Sequence, residues 1–229
     1  MPQDERPTLR VEGKDDKYVI ERLLLRHGID PKVFDIRYSE DGDEDAGGQN
    51  SLLKGMRTSV ITSTGNSVGF VLDADGAATD RWRAVRKQLA GLELDLPDEI
   101  PEGGFIGDAL DVQARVGVWL MPDNRRPGAL EEFLRDLVNN EDALLQHAEA
   151  STAEALQRGA GFPNAKQRKA VLHAWLAWQR RPGLPYGLAI TAHYFKHDTP
   201  AALAFVNWFR CVFETEPDVS ERLQSSALG

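Results

Sequence analysis

The sequence predicts an α/β protein, with a central parallel or mixed sheet flanked by helices and a helical C-terminal extension. Short apolar or β-branched runs alternate with segments of helical spacing, in the order strand-helix-strand-helix-strand expected of a parallel or mixed sheet. Three of those runs, ending at Val11, Leu72 and Met121, stop abruptly at carboxylate-bearing residues. From Glu141 onward the spacing is helical almost throughout.

The first strand, about Thr8 to Val11, leads into a helix from Lys14 to about His27, with Val19, Ile20, Leu23 and Leu24 on one face. Asp15 and Asp16 fall in its first turn, where the helix dipole favours negative charge; capping is the preferred reading of Asp15. Gly28 stops the helix, and Val33 to Tyr38 read as a second strand. Ser39 to Asn50 is acidic and glycine-rich. It lacks the bidentate glutamate of a helix-loop-helix calcium site and reads as a solvated loop. Ser51 to about Ser63 forms a helix with Leu52, Leu53, Met56, Val60 and Ile61 inward, and Gly65-Asn66 turns the chain into a strand ending at Asp73.

Thr79 to Leu92 is expected to be helical, with Trp82, Val85 and Leu89 as an apolar stripe; Trp82 belongs to the core rather than to a base-stacking platform. Between Leu94 and Gly107 two prolines and two further glycines predict an irregular connection, with a short strand near Phe105. Val116 to Met121 is a strand, and Gly128 to Leu134 opens a helix with Glu131 in its first turn, where a capping role and a site role stay open. Helices follow over Glu141 to Arg158, Ala165 to Arg180 and Pro200 to Glu214; Tyr186 to Tyr194 fits either a strand or the start of a helix. Residues 8–140 thus read as one α/β domain, residues 141–229 as a helical extension with a polar tail.

At 41% hydrophobic and 28% charged residues, the composition is that of an ordinary globular protein. No apolar run approaches the roughly 20 residues that span a bilayer, and the start Met1-Pro2-Gln3-Asp4 has no apolar signal region, so a cytoplasmic location without membrane association is expected. The single cysteine, Cys211, in an apolar helical segment, reads as a buried inert thiol. A formal charge of −9 excludes a protein that coats nucleic acid through bulk electrostatics, so any such contact must come from local basic clusters. Arg81, Arg83, Arg86 and Lys87 form one, and Lys166, Arg168 and Lys169, followed by Arg180 and Arg181, form another; each also reads simply as a solvated helix face.

If the first and third strands are neighbours, Glu12, Asp73 and Asp75 converge at the carboxyl edge of the sheet, where open α/β sheets place their sites. Three acids that close repel one another unless a cation sits between them, and oxygen-only ligation favours Mg²⁺ or Mn²⁺ over zinc.

The pairing of Val11-Glu12-Gly13-Lys14-Asp15-Asp16 with Leu72-Asp73-Ala74-Asp75-Gly76 resembles the Toprim domain, the metal-binding module of topoisomerases, bacterial primases and several nucleases. The first motif looks especially like the opening of small ribosomal RNA maturases and of OLD (overcoming lysogenization defect) nucleases. The later segment Lys169 to Trp178, with Phe205-Val206-Asn207-Trp208, looks like small stand-alone Toprim-related proteins. The resemblance covers about residues 8–140 and implies a metal-dependent nuclease or nuclease-like subunit, acting on DNA or RNA in processing or defence. It implies that Glu12 is a general acid/base or metal ligand, that Asp73 and Asp75 hold Mg²⁺ or Mn²⁺, and that Asp16 closes the first motif. Asp123 and Glu131 become candidates for a second ion, as in OLD nucleases. Lys169 and Lys166 are candidates for neutralising phosphate charge, with Lys14, Arg81 and Lys166 toward the nucleic-acid backbone.

Ala77 stands where topoisomerases carry a third aspartate, and there is no cysteine set for the zinc ribbon of primases. Two alternatives remain. Leu72-Asp73-Ala74-Asp75-Gly76 also resembles the nucleophile motif of haloacid-dehalogenase-like phosphatases, although Ala77 departs from that pattern. The OLD resemblance also implies a non-catalytic subunit controlled by a separate P-loop ATPase, since no phosphate-binding Gly-Lys-Ser/Thr loop occurs in this chain. Homo-oligomerisation is left open.

Overall fold

The computed structural model describes residues 6–38 and 48–213, with side chains described from residue 51 in the second span. Five strands, β1 (Thr8–Val11), β2 (Asp35–Tyr38), β3 (Ser67–Asp73), β4 (Phe105–Ala109) and β5 (Ala114–Met121), form one sheet in the order β2-β1-β3-β5-β4. All neighbours run parallel except the β4–β5 pair, so the sheet is mixed. β1 lies beside β3, and β3 lies beside β5 with Asp73 opposite Met121, which brings their carboxyl ends to one edge.

The described helices are α1 (Lys14–Arg26), α2 (Gly48–Thr62), α3 (Ala78–Leu89), α4 (Leu130–Asp136), α5 (Ala143–Gln157), α6 (Gln167–Ala177), α7 (Tyr186–Thr191) and α8 (Pro200–Phe213). Side chains alternate across a strand, and the alternation sorts the core into two layers. Leu9, Val11, Val71, Trp119 and Met121 join α1 and α4 to α8 in one apolar cluster. Val68, Phe70, Leu72, Val116, Val118 and Leu120 join α2 and α3 in the other, where Trp82 is buried as expected and donates its indole N–H to Pro97 O at 3.0 Å.

The helices after residue 140 share the first of these clusters with the sheet, so the expected division there does not separate two cores. α8 packs directly on β3 and β5. It seats where two glycines stand opposite each other, Gly69 on β3 and Gly117 on β5. A Cβ on Gly117 would lie 2.3 Å from Val212 Cγ2, and one on Gly69 would lie 3.0 Å from the Phe213 ring. Gly104, at φ +82°, makes the same room under Trp208, whose indole N–H donates to Phe105 O at 3.1 Å.

Most element boundaries fall within a few residues of expectation. The second strand begins at Asp35, because Pro31–Val33 forms a single 3-10 turn capped by Asp30. The helix expected from Ser51 begins at Gly48; the rest of the acidic loop and the tail after Phe213 lie outside the described residues. Tyr186 opens a helix, not a strand, and Gly187 lets it approach α1: a Cβ there would stand 2.9 Å from Tyr18 O. Cys211 is exposed rather than buried, since α8 turns Trp208, Phe209, Val212 and Phe213 inward and leaves position 211 on the opposite face. No described helix is long and apolar enough to cross a membrane.

Candidate functional site

Four carboxyl groups from separate parts of the chain meet at the carboxyl edge. Glu12 follows the last residue of β1, Asp16 lies in the first turn of α1, Asp73 ends β3, and Glu131 lies in the first turn of α4. Hydrogen bonds to the backbone fix three positions. Asp73 N–H donates to Glu12 Oε1 at 3.0 Å, tying the end of β1 to the end of β3. Gly13 N–H donates to Asp16 Oδ2 at 3.1 Å, so Asp16, not Asp15, makes the helix cap. Leu130 N–H donates to Asp73 Oδ1 at 3.1 Å, which sets that carboxylate on the positive end of α4.

The loops that carry Asp73 and Glu131 are joined by a two-way backbone bridge. Asp75 N–H donates to Gly128 O and Gly128 N–H to Asp75 O, both at 2.8 Å. The bridge holds Asp75 at φ +51°, in the left-handed region that aspartate tolerates better than most residues. In α4 the capping acid is Glu132, whose Oε2 accepts from Ala129 N–H at 2.8 Å; Glu131 is thereby released to face the other acids.

Glu12 and Asp16 are only 9% and 8% exposed, which is rare for carboxylates without a cation beside them. Burial is the largest influence on each of the four and pushes its pKa up; for Glu12, Asp16 and Asp73 repulsion from the neighbouring acids adds to it. Glu12 is raised to about 8, with the Asp73 N–H and Arg81 pulling the other way and Asp16 and Asp75 reinforcing the rise. Asp16 is raised to about 7 by burial and then by Glu131. Asp73 is raised well above the carboxylate range by burial, Asp16, Glu12 and Glu131. Glu131 is raised by burial, against its own backbone N–H and the nearby Lys169 and Lys166 charges, which favour its charged form.

Asp75 is exposed and pairs with Arg81, yet lies close enough to repel Glu12 and Asp73; Arg81, with its side chain only 12% exposed, faces the site rather than an open backbone-binding surface. Asp123 is not brought to the group. Its Oδ1 accepts from the N–H groups of Arg125 (3.1 Å) and Arg126 (2.9 Å), and its Oδ2 from the Arg126 guanidinium at 2.6 Å. Burial pushes its pKa up, but the Arg126 and Arg125 N–H groups and the Arg126 guanidinium together outweigh it and hold the pKa below its ordinary value, and the pairing occupies the carboxylate proposed for a second ion. Lys14 and Lys166 are exposed; Lys14 lies over the Tyr18 ring, 6.0 Å from its centre.

Sequence reasoning missed Tyr186. The residue is 2% exposed, its hydroxyl has no hydrogen-bond partner among the described residues, and Glu131 and Asp15 are near enough to add to the burial that raises its pKa. No motif marks it. The only signal was the open assignment of its segment, since its burial depends on α7 packing against α1.

The donor set is oxygen-only and suits a hard divalent cation, which would relieve the repulsion these buried acids impose on one another. Yet among the described residues no three His, Cys, Asp or Glu side chains are drawn together tightly enough for a ready-made metal site. The long-range repulsion and the lack of a closed ligand set together describe an open acidic cluster, with Glu12 Oε1 and Asp73 Oδ1 held by peptide N–H groups.

The fold and site define a mixed α/β protein with a buried carboxylate cluster where its central strands end. The family model described as "Protein of unknown function (DUF3226)" matches residues 6–214, and the chain belongs to that family. No curated protein and no solved structure matches it.

Proposed function

We propose that the protein is a Mg²⁺- or Mn²⁺-dependent phosphodiesterase of Toprim-like nuclease type, acting on nucleic acid in the cytoplasm, either alone or under the control of a separate P-loop ATPase. The observation that carries this reading is the convergence of Glu12, Asp16, Asp73 and Glu131 at one sheet edge, each made hard to ionise by burial, with the neighbouring acids adding to the effect at Glu12, Asp16 and Asp73. Glu12, Asp16, Asp73 and Glu131 would hold the ion. When bound, it supplies positive charge to a phosphate and lowers the pKa of an attacking water. In the alternative in which Asp16, Asp73 and Glu131 hold the ion without it, Glu12, raised by burial to exchange a proton near neutral pH, would act as general base. Lys169, whose charge reaches Glu131, offsets negative charge building on the phosphate.

The phosphatase alternative asks Asp73 to be the nucleophile. Ala77 departs from that nucleophile motif, which here also follows two strand-helix units rather than opening the fold, and Asp73 Oδ1 already accepts the Leu130 N–H, so the metal reading is preferred.

Calorimetric titration of the full chain with Mn²⁺ should show saturable binding, and Asp73→Asn should weaken it by about 10-fold or more. With Mn²⁺ present, single-stranded DNA, duplex DNA or RNA should be cut, and EDTA should stop the reaction. Unchanged Mn²⁺ affinity in Asp73→Asn would remove that residue from the site; a wild-type chain that binds no Mn²⁺ would sink the reading itself.

A further inference from the structure

A second polar site lies on the other face of the sheet. Parallel strands are ordinarily covered on both faces, but here α2 packs over β3 and β5, and among the described residues no apolar cluster covers the second face of β1 and β2. The alternation in Thr8-Leu9-Arg10-Val11 and Asp35-Ile36-Arg37-Tyr38 puts Leu9, Val11 and Ile36 in the first core and turns Thr8, Arg10, Asp35 and Arg37 the opposite way, paired side by side in register. Together with Arg6 and the last turn of α2 they line a cavity of about 470 Å³, within the roughly 300–1,000 Å³ of typical small-ligand sites.

Three guanidiniums in this cavity face a single carboxylate, in a chain whose net charge is −9. Arg37 pairs with Asp35. Arg6 gives one N–H to Lys32 O at 2.8 Å and no carboxylate among the described residues pairs with it. Arg10 gives one N–H to Ser59 Oγ at 2.7 Å and likewise has no carboxylate partner there. The Ser59, Thr62 and Ser63 hydroxyls donate to backbone carbonyls of α2, so the remaining guanidinium N–H groups of Arg6 and Arg10 are the donors offered to a ligand. One arginine would suffice to complement the negative end of α2; Arg6 and Arg10 together exceed that need. Burial, and then Arg37, pull the pKa of Arg10 below its ordinary value, a repulsion that an anion between the two would relieve.

We propose that this cavity binds a phosphate-bearing anion of about nucleotide size, gripped by Arg6 and Arg10. Guanidinium forks match phosphate oxygens in pairs, which suits this arrangement better than it suits a single carboxylate. The inference does not depend on the metal reading, and it is tested on the metal-free full chain in EDTA, where a cluster of carboxylates repels phosphate. Calorimetry with inorganic pyrophosphate, and separately with a short oligothymidylate, should show saturable binding of at least one that weakens as salt rises. Arg10→Gln should weaken it by about 10-fold, and Arg6→Gln, at an exposed position where folding is not at stake, by about 3-fold. Equal affinity for both probes identifies a free small anion as the ligand; clear preference for the oligonucleotide identifies a nucleic-acid strand. Absence of binding by both probes, or affinity unchanged in a folded Arg6→Gln and Arg10→Gln pair, overturns the proposal.

Discussion

Replacing Glu12 by Gln is expected to lower metal-dependent cleavage by roughly 10²–10⁴-fold, the usual worth of a positioned general base, and at the same time to stabilise the metal-free protein at pH 8. The two effects share one cause. Gln keeps an oxygen for the Asp73 N–H but carries no charge to bury. In the wild type, burial raises the folded-state pKa of Glu12 to about 8, from an ordinary value near 4.5. A group raised on folding contributes stability that is fully present below its unfolded pKa and is lost as pH climbs through the folded one. The loss therefore falls between about pH 4.5 and 8 and amounts to a few kcal/mol, on the order of 1.4 per pKa unit. Thermal unfolding in EDTA at pH 5 and pH 8 should show the wild type losing more stability across that interval than Glu12→Gln. Identical pH dependence in the two proteins would mean that Glu12 is not buried as an acid, and cleavage that survives the substitution would end its role in chemistry.

The second large effect concerns the middle of β5. Gly117→Ala should destabilise the protein by about 1–3 kcal/mol, the usual cost of overpacking a close-packed interior. Its new methyl would stand 2.3 Å from Val212 Cγ2 and 3.1 Å from the Trp208 ring, so α8 must lift from the sheet or the strand must bend. Gly117→Ala with Val212→Ala should recover part of the loss, because the second change removes the atoms that collide. Denaturant midpoints for both variants check this; a Gly117→Ala midpoint equal to wild type would mean that α8 does not seat on the glycine pair.

The strand ends were legible, because an apolar run stopping at Glu12 or Asp73 records both a sheet and its edge; that β1 and β3 are neighbours entered only as a condition, since strand order is set by packing rather than by any one run. The details that depend on one residue of helix phase were not. Capping in α4 starts from Ala129, which selects Glu132 for the cap and frees Glu131; a start one residue earlier would have reversed their roles. Asp123 looked like a third acidic strand end, but Arg126, three residues later, closes a turn on it, an ion pair that hydropathy alone does not reveal. Cys211 was assigned to the core from its apolar neighbours, whereas burial on a helix follows the angle at which a residue points. Tyr186 and the arginine cavity were hidden for a different reason: both arise from contacts between segments distant in sequence, α7 against α1 and the turn of α2 against β1 and β2.

The seating of α8 on the glycine pair also bears on how the chain is made. Synthesis runs from the amino terminus, so β3 and β5 exist long before residues 208–213 arrive to cover them. Until then the nascent sheet exposes one oily flank, and a ribosome stalled ahead of α8 would display a sticky, chaperone-dependent intermediate.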